Sequence, residues 1–120
     1  MKLKKLHIIL ITDSEKLEYN LLGKCDENTI SYTESGALKS NLVFDLKENT
    51  LTKDNIDYKI TLRFDKKKIT SNEIYIKKED KILNIELETI EYKLTKSKIE
   101  LKYKIIDSNE KIEYIIEIGE

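Results

Sequence analysis

Proline, tryptophan and glutamine are absent from this chain, which has one cysteine, one histidine, one arginine and three glycines. Each shortage removes a class of function. A lone cysteine, Cys25, makes neither a disulfide within the chain nor a cysteine-based zinc site, and such usage fits a reducing cytoplasm. Gly23, Gly36 and Gly119 stand too far apart to form a glycine-rich loop around phosphate. Neither sign of charge is in excess: 22 basic residues face 23 acidic ones, a net charge of −1, so there is no general attraction to nucleic acid or anionic lipid. No apolar run approaches the ~20 residues of a membrane-spanning helix. The opening MKLKKLHIILIT places lysines before apolar residues, as a signal peptide does. Its apolar run is short, however, contains His7 and is followed by no small-residue cleavage site, so a first β-strand is the better reading.

What the sequence has in abundance is alternation. In residues 98–118 Ile99, Leu101, Tyr103 and Ile105 share one phase, Lys98, Glu100, Lys102 and Lys104 the other, and Ile112, Tyr114, Ile116 and Ile118 form a second apolar series after a polar turn at Asp107-Ser108-Asn109-Glu110. A period of two is that of a strand with one buried face. A symmetric turn sets Ile105 opposite Ile112, Tyr103 opposite Tyr114, Leu101 opposite Ile116 and Ile99 opposite Ile118, with Lys104 meeting Glu113 outside.

The same signal recurs along the chain. Residues 2–12 give a first strand, the expected partner of the hairpin's free edge, and Leu17, Tyr19 and Leu21 a second, with Gly23 marking a bend. Ile30 and Tyr32 give a third strand, the turn Ser35-Gly36 leads to a fourth with Leu42, Phe44 and Leu46 on one face, and residues 50–53 make a brief fifth. Tyr58, Ile60, Leu62 and Phe64 alternate in a sixth and Ile74 and Ile76 belong to a seventh. Across residues 82–95 the phase changes at Thr89, from Leu83, Ile85 and Leu87 to Ile90, Tyr92 and Leu94, which predicts a β-bulge that bends the strand, with a tight turn as the competing explanation. About ten strands with short connections imply antiparallel neighbours in one domain over residues 1–120, and closure into an up-and-down barrel of eight to ten strands removes exposed edges.

The fragments ISYTES, NLVFDLKENTLT, LNIELETIEYKL and KIELKYKI, with Thr89 and Tyr103 in place, resemble the small bacterial YwiB-like proteins, whose biochemical role is not established. The resemblance implies a calycin-like, lipocalin-like β-barrel. The chain departs from the family pattern at Lys53-Asp54-Asn55, in place of an arginine closely followed by glycine, and at Lys78-Glu79-Asp80-Lys81, in place of a threonine-proline turn with glycine.

No residue pattern points to catalysis, and the expectation is a protein that is not an enzyme, without cofactor or metal. His7 reads as a core or barrel-rim histidine held by a backbone partner rather than a catalytic base. Cys25 reads as an inert surface or edge thiol. Glu86, Glu88, Glu91, Glu100, Glu113 and Glu117 alternate with apolar residues and read as the solvated face of strands rather than metal ligands or acid pairs. Lys66, Lys67 and Lys68 with Lys59, Arg63, Lys77 and Lys78 could form a basic patch beside Tyr58 and Tyr75, but interspersed acids favour a solvated turn and make nucleic-acid binding the weakest candidate. The seven tyrosines fall on seven strands, either lining a cavity mouth or filling the ends of the core. The leading expectation is a cytoplasmic module, monomer or homodimer and without membrane attachment, that takes a small apolar molecule against Tyr103, Tyr114, Leu101, Tyr92 and Tyr58. The alternative is an interaction module that pairs through a strand edge, at residues 50–53 or beside Leu17.

Overall fold

The computed structural model describes residues 2–35 and 38–119 and contains ten strands and no helix among them. They are β1 (Lys2–Ile11), β2 (Lys16–Cys25), β3 (Thr29–Glu34), β4 (Ser40–Asp45), β5 (Thr50–Asp54), β6 (Tyr58–Arg63), β7 (Thr70–Ile76), β8 (Lys81–Leu94), β9 (Lys98–Ile105) and β10 (Lys111–Ile118). Every strand pairs antiparallel with its neighbours in sequence, and β1 pairs with β10, which closes the barrel. The Gly36 half of the expected Ser35-Gly36 turn lies outside the described residues.

Alternation fixes which residues face inward. Leu6, Ile8 and Leu10 of β1, Leu42 and Phe44 of β4, Ile99, Leu101 and Tyr103 of β9, and Tyr114 and Ile116 of β10 are buried in one core. On β9 lysines and glutamates take every intervening outward position, and on β10 they take all but that of Ile115.

The connections are made with hardly any glycine and no proline. Carboxylates and amides take over the turns: Asp26 Oδ1 accepts the backbone N–H of Asn28 (2.9 Å) and Thr29 (2.8 Å), and Asp45 and Asn55 do the same for the turns that follow them. Asn49, Asp80 and Asn109 supply the left-handed backbone conformation, with φ of 57°, 49° and 60°. Gly23 is required for a different reason: it lies within β2, and a Cβ there would overlap Leu6 Cδ1 and approach Ser31 O at 3.0 Å.

The terminal hairpin forms, but in another register. Tyr103 lies opposite Ile112, Leu101 opposite Tyr114 and Ile99 opposite Ile116, two residues away from the symmetric arrangement. The connection is the longer segment 106–110, closed by the Ile105 N–H to Glu110 O bond at 2.8 Å, and Asn109 turns it. A shift of two keeps every side chain on its face, so the alternation is equally satisfied by either register. On the outside Glu113 now meets Lys102, while Lys104 faces Lys111 and reaches Glu88 Oε1 at 3.6 Å. The expected bulge is present between Thr89 and Glu91. Ile90 is the extra residue and points outward, 41% exposed, rather than joining Tyr92 on the inner face.

Candidate functional site

The inner face is not filled uniformly. Phe44 and Phe64 anchor two aromatic chains: Phe44 packs on Tyr32 (ring centroids 6.4 Å apart) and Tyr114 (5.8 Å), and Phe64 on Tyr92 (5.8 Å) and Tyr103 (5.4 Å). Around them the core is closed. Beyond Tyr103 and Tyr114 the β7–β8 hairpin runs past the end of β9, since Lys81–Asn84 pair with β7 alone, and its isoleucines have no facing strand to fill the space between.

A cavity of about 490 Å³ results. Tyr103, Tyr114, Leu10 and Leu51 form its inner wall, Tyr58, Ile60, Ile74, Ile76 and Ile85 its sides, and Thr12, Lys53 and Glu110 the polar positions. The size and largely apolar lining with a few polar groups are those of small-molecule sites. Of the residues expected from sequence, Tyr58, Tyr103 and Tyr114 lie on this wall. Leu101 is fully buried among its neighbours, and Tyr92 sits against Phe64 outside the cavity.

Burial raises the Tyr114 and Tyr103 hydroxyls well above the usual tyrosine range, with smaller contributions from Glu110 at Tyr103 and from Tyr103 at Tyr114, and it pushes Tyr92 up to about 12. All three are neutral phenols at ordinary pH, able to donate or accept a hydrogen bond.

Sequence reasoning missed the charged members. Glu34 follows Ile30 and Tyr32 in the inward phase of β3, and Lys53 follows Leu51 in that of β5. Parity alone placed both inside, but a charged residue at a strand end reads as the start of a turn. Lys53 Nζ donates to Glu34 Oε1 at 3.3 Å.

Other candidates are dispersed. His7 lies on the outer face of β1, where Nδ1 is 2.8 Å from Glu117 Oε1 and Nε2 3.0 Å from Glu18 Oε2; its partners are carboxylates, not backbone. Cys25 is buried rather than at the surface, and burial raises its thiol. No acidic, histidine or cysteine cluster suited to a metal occurs among the described residues. In the basic patch, Lys59 and Tyr75 pair on the outer face, but Tyr58 turns into the cavity and Lys77 is held by Asp54 Oδ1 at 2.7 Å. The expected aromatic pair is therefore split between the two faces of the wall.

No protein-family model matches the chain. No curated protein sequence matches it either. Among solved structures, the crystal structure of the YwiB protein from Bacillus subtilis superposes with a TM-score of 0.64 at 16% identity, over 98% of this chain and 92% of that one. At that identity the likeness is one of fold: this chain is a closed ten-stranded antiparallel barrel similar to that of YwiB.

Proposed function

We propose that the protein is a cytoplasmic, non-enzymatic, calycin-like barrel that binds a small, mainly apolar molecule at its open end. The observation carrying this reading is the cavity of about 490 Å³ between Tyr103, Tyr114 and the isoleucines of β6, β7 and β8. Those side chains are kept apart by the overhang of the β7–β8 hairpin, so a guest removes apolar surface from water without the core repacking, worth about 25 cal/mol per Å² of such surface. Native mass spectrometry of the protein purified from its own cell is expected to show a co-purifying small molecule. The Ile74→Trp variant, which fills the cavity, is expected to lack it. An unliganded mass for the natural protein, together with no uptake of the neutral fluorophore N-phenylnaphthylamine, would overturn the reading.

A second reading has its own observation. β2 pairs with β1 along its whole length but with β3 only at Lys24 and Cys25, so residues 16–23 present an edge without a strand partner. That edge, beside Leu17, is available for strand addition. The other expected edge, residues 50–53, is excluded because β5 is paired on both sides.

A further inference from the structure

Most buried polar side chains of the barrel are hydrogen-bonded. Asn55 Nδ2 donates to Ser40 Oγ at 3.1 Å, Thr70 Oγ1 donates to Arg63 O at 2.7 Å, Asn72 Oδ1 accepts the Arg63 N–H at 2.9 Å, and Thr89 Oγ1 accepts the Asp65 N–H at 3.1 Å. Two buried atoms among the described residues have no partner, the Tyr32 hydroxyl and Glu34 Oε2, and both belong to β3. Such groups are uncommon and costly, and their concentration in one place marks where hydrogen-bonding capacity is unspent. The place adjoins the cavity, because Lys53, which Glu34 Oε1 holds at 3.3 Å, is itself on the cavity wall.

The charge of that polar end decides what it can take. An unaccompanied lysine in an apolar cavity attracts a carboxylate. Here Glu34, only 9% exposed, already neutralises Lys53, and the remaining charged wall residue is Glu110. An incoming anion would compete with Glu34 for Lys53 and leave one of the two carboxylates uncompensated in a poorly solvated site. An ammonium finds Glu110 on the wall but shares that wall with the Lys53 charge. A neutral hydroxyl or carboxamide meets neither obstacle: it accepts from Lys53 Nζ, whose remaining N–H bonds are not taken by Glu34, and exchanges hydrogen bonds with the Tyr58, Tyr103 and Tyr114 phenols.

Building on the cavity reading above, we infer that the ligand of this barrel is an amphipathic molecule with an uncharged hydrogen-bonding head, an alcohol or amide rather than a carboxylate, and that the Glu34–Lys53 pair sets this choice. The pair acts as a charge filter, with Lys53 offering donors and Glu34 cancelling its attraction for anions.

The test is displacement of N-phenylnaphthylamine from the full-length protein at neutral pH by decanol, decanamide and decanoate. The neutral compounds are expected to displace it about tenfold more tightly than decanoate. In Glu34→Gln, checked for its fold by circular dichroism, the preference for decanol over decanoate is expected to fall about tenfold, since the lysine charge is then uncovered. Lys53→Gln is expected to weaken decanol and decanamide and leave the fluorophore itself bound. Equal or tighter displacement by decanoate from the unmodified protein, with the fluorophore bound, overturns the charge filter and leaves the cavity reading standing. A protein that takes up neither the fluorophore nor any of the three compounds overturns both. The comparison on the unmodified protein decides the question even if a variant fails to fold.

Discussion

His7 illustrates how a residue's meaning depends on what its neighbours bring. It stands across from Glu117 of β10 and within reach of Glu18 of β2, so two strands place a carboxylate at each ring nitrogen. The hydrogen bond to Glu117, then that to Glu18, raises its pKa above the ordinary 6.5, and the bond from His7 lowers that of Glu18 from 4.5. A raised histidine pKa means that its contribution to stability is fully present below 6.5 and is lost as pH rises through the folded value. For Glu18 the contribution is present above 4.5 and is lost as pH falls through its lowered folded value. The three-strand clasp is therefore complete between those two ordinary values. An NMR titration of the imidazole is expected to give a midpoint above 6.5, and urea unfolding of His7→Gln to lose the fall in stability that the natural protein shows on the alkaline side. A midpoint at or below 6.5 would remove the clasp. Glu34 and Lys53 show the same dependence in the interior, where neither residue type announces a binding site until β3 and β5 bring them together.

Among the elements, the β9–β10 hairpin separates what local pattern fixes from what it leaves open. Faces follow from parity, and parity is the same for the symmetric register and for the one adopted. The choice between them is made by the connection, where segment 106–110 places Asn109 at φ 60°, and by tertiary contact, since the Ile106 N–H reaches Glu86 O at 2.9 Å on β8. A non-glycine residue in that conformation costs roughly 1–2 kcal/mol, less for asparagine. Asn109→Gly is expected to leave stability unchanged or raise it slightly, and Asn109→Val to lower it by about 1–2 kcal/mol, read from urea midpoints at constant slope. Equal loss in both variants would argue for the shorter symmetric turn. In β8 the phase change in the sequence was a direct image of the bulge, because one extra residue in a strand must invert the pattern that follows it. The sequence did not show which residue is expelled; Ile90 leaves the core because Thr89 is held inside by its bond from the Asp65 N–H.

At the scale of the whole molecule, closure between β1 and β10 removes the long edges that ten strands would otherwise expose, and leaves a break in pairing along β2. If residues 16–23 serve as a docking edge for a second copy, light scattering is expected to give a mass that rises toward twice 14.2 kDa with concentration. A mass constant at the monomer value across that range would count against self-pairing and leave the cavity as the feature needing a partner. The cavity too is a property of the whole barrel. Its wall draws on seven strands or their ends, and the space exists because β8 outruns β9.

The sequence by itself determined the fold class, a barrel of eight to ten strands, most of the inward and outward faces and the place where the phase of β8 breaks, because each is written in a period of two that any antiparallel barrel must obey. It also determined how the turns are made, by aspartate and asparagine in a chain with few glycines and no proline. Only the tertiary structure decided the hairpin register, the burial of Cys25, the placement of Tyr58, Tyr103 and Tyr114 on one wall, and the Glu34–Lys53 pair behind it. These depend on strand lengths and on contacts between residues distant in the chain, such as the 19 positions that separate Lys53 from Glu34. Alternation tells a side chain which face it takes; how far its strand extends beyond the next, and so whether that face meets a neighbour or a cavity, is settled when the barrel closes.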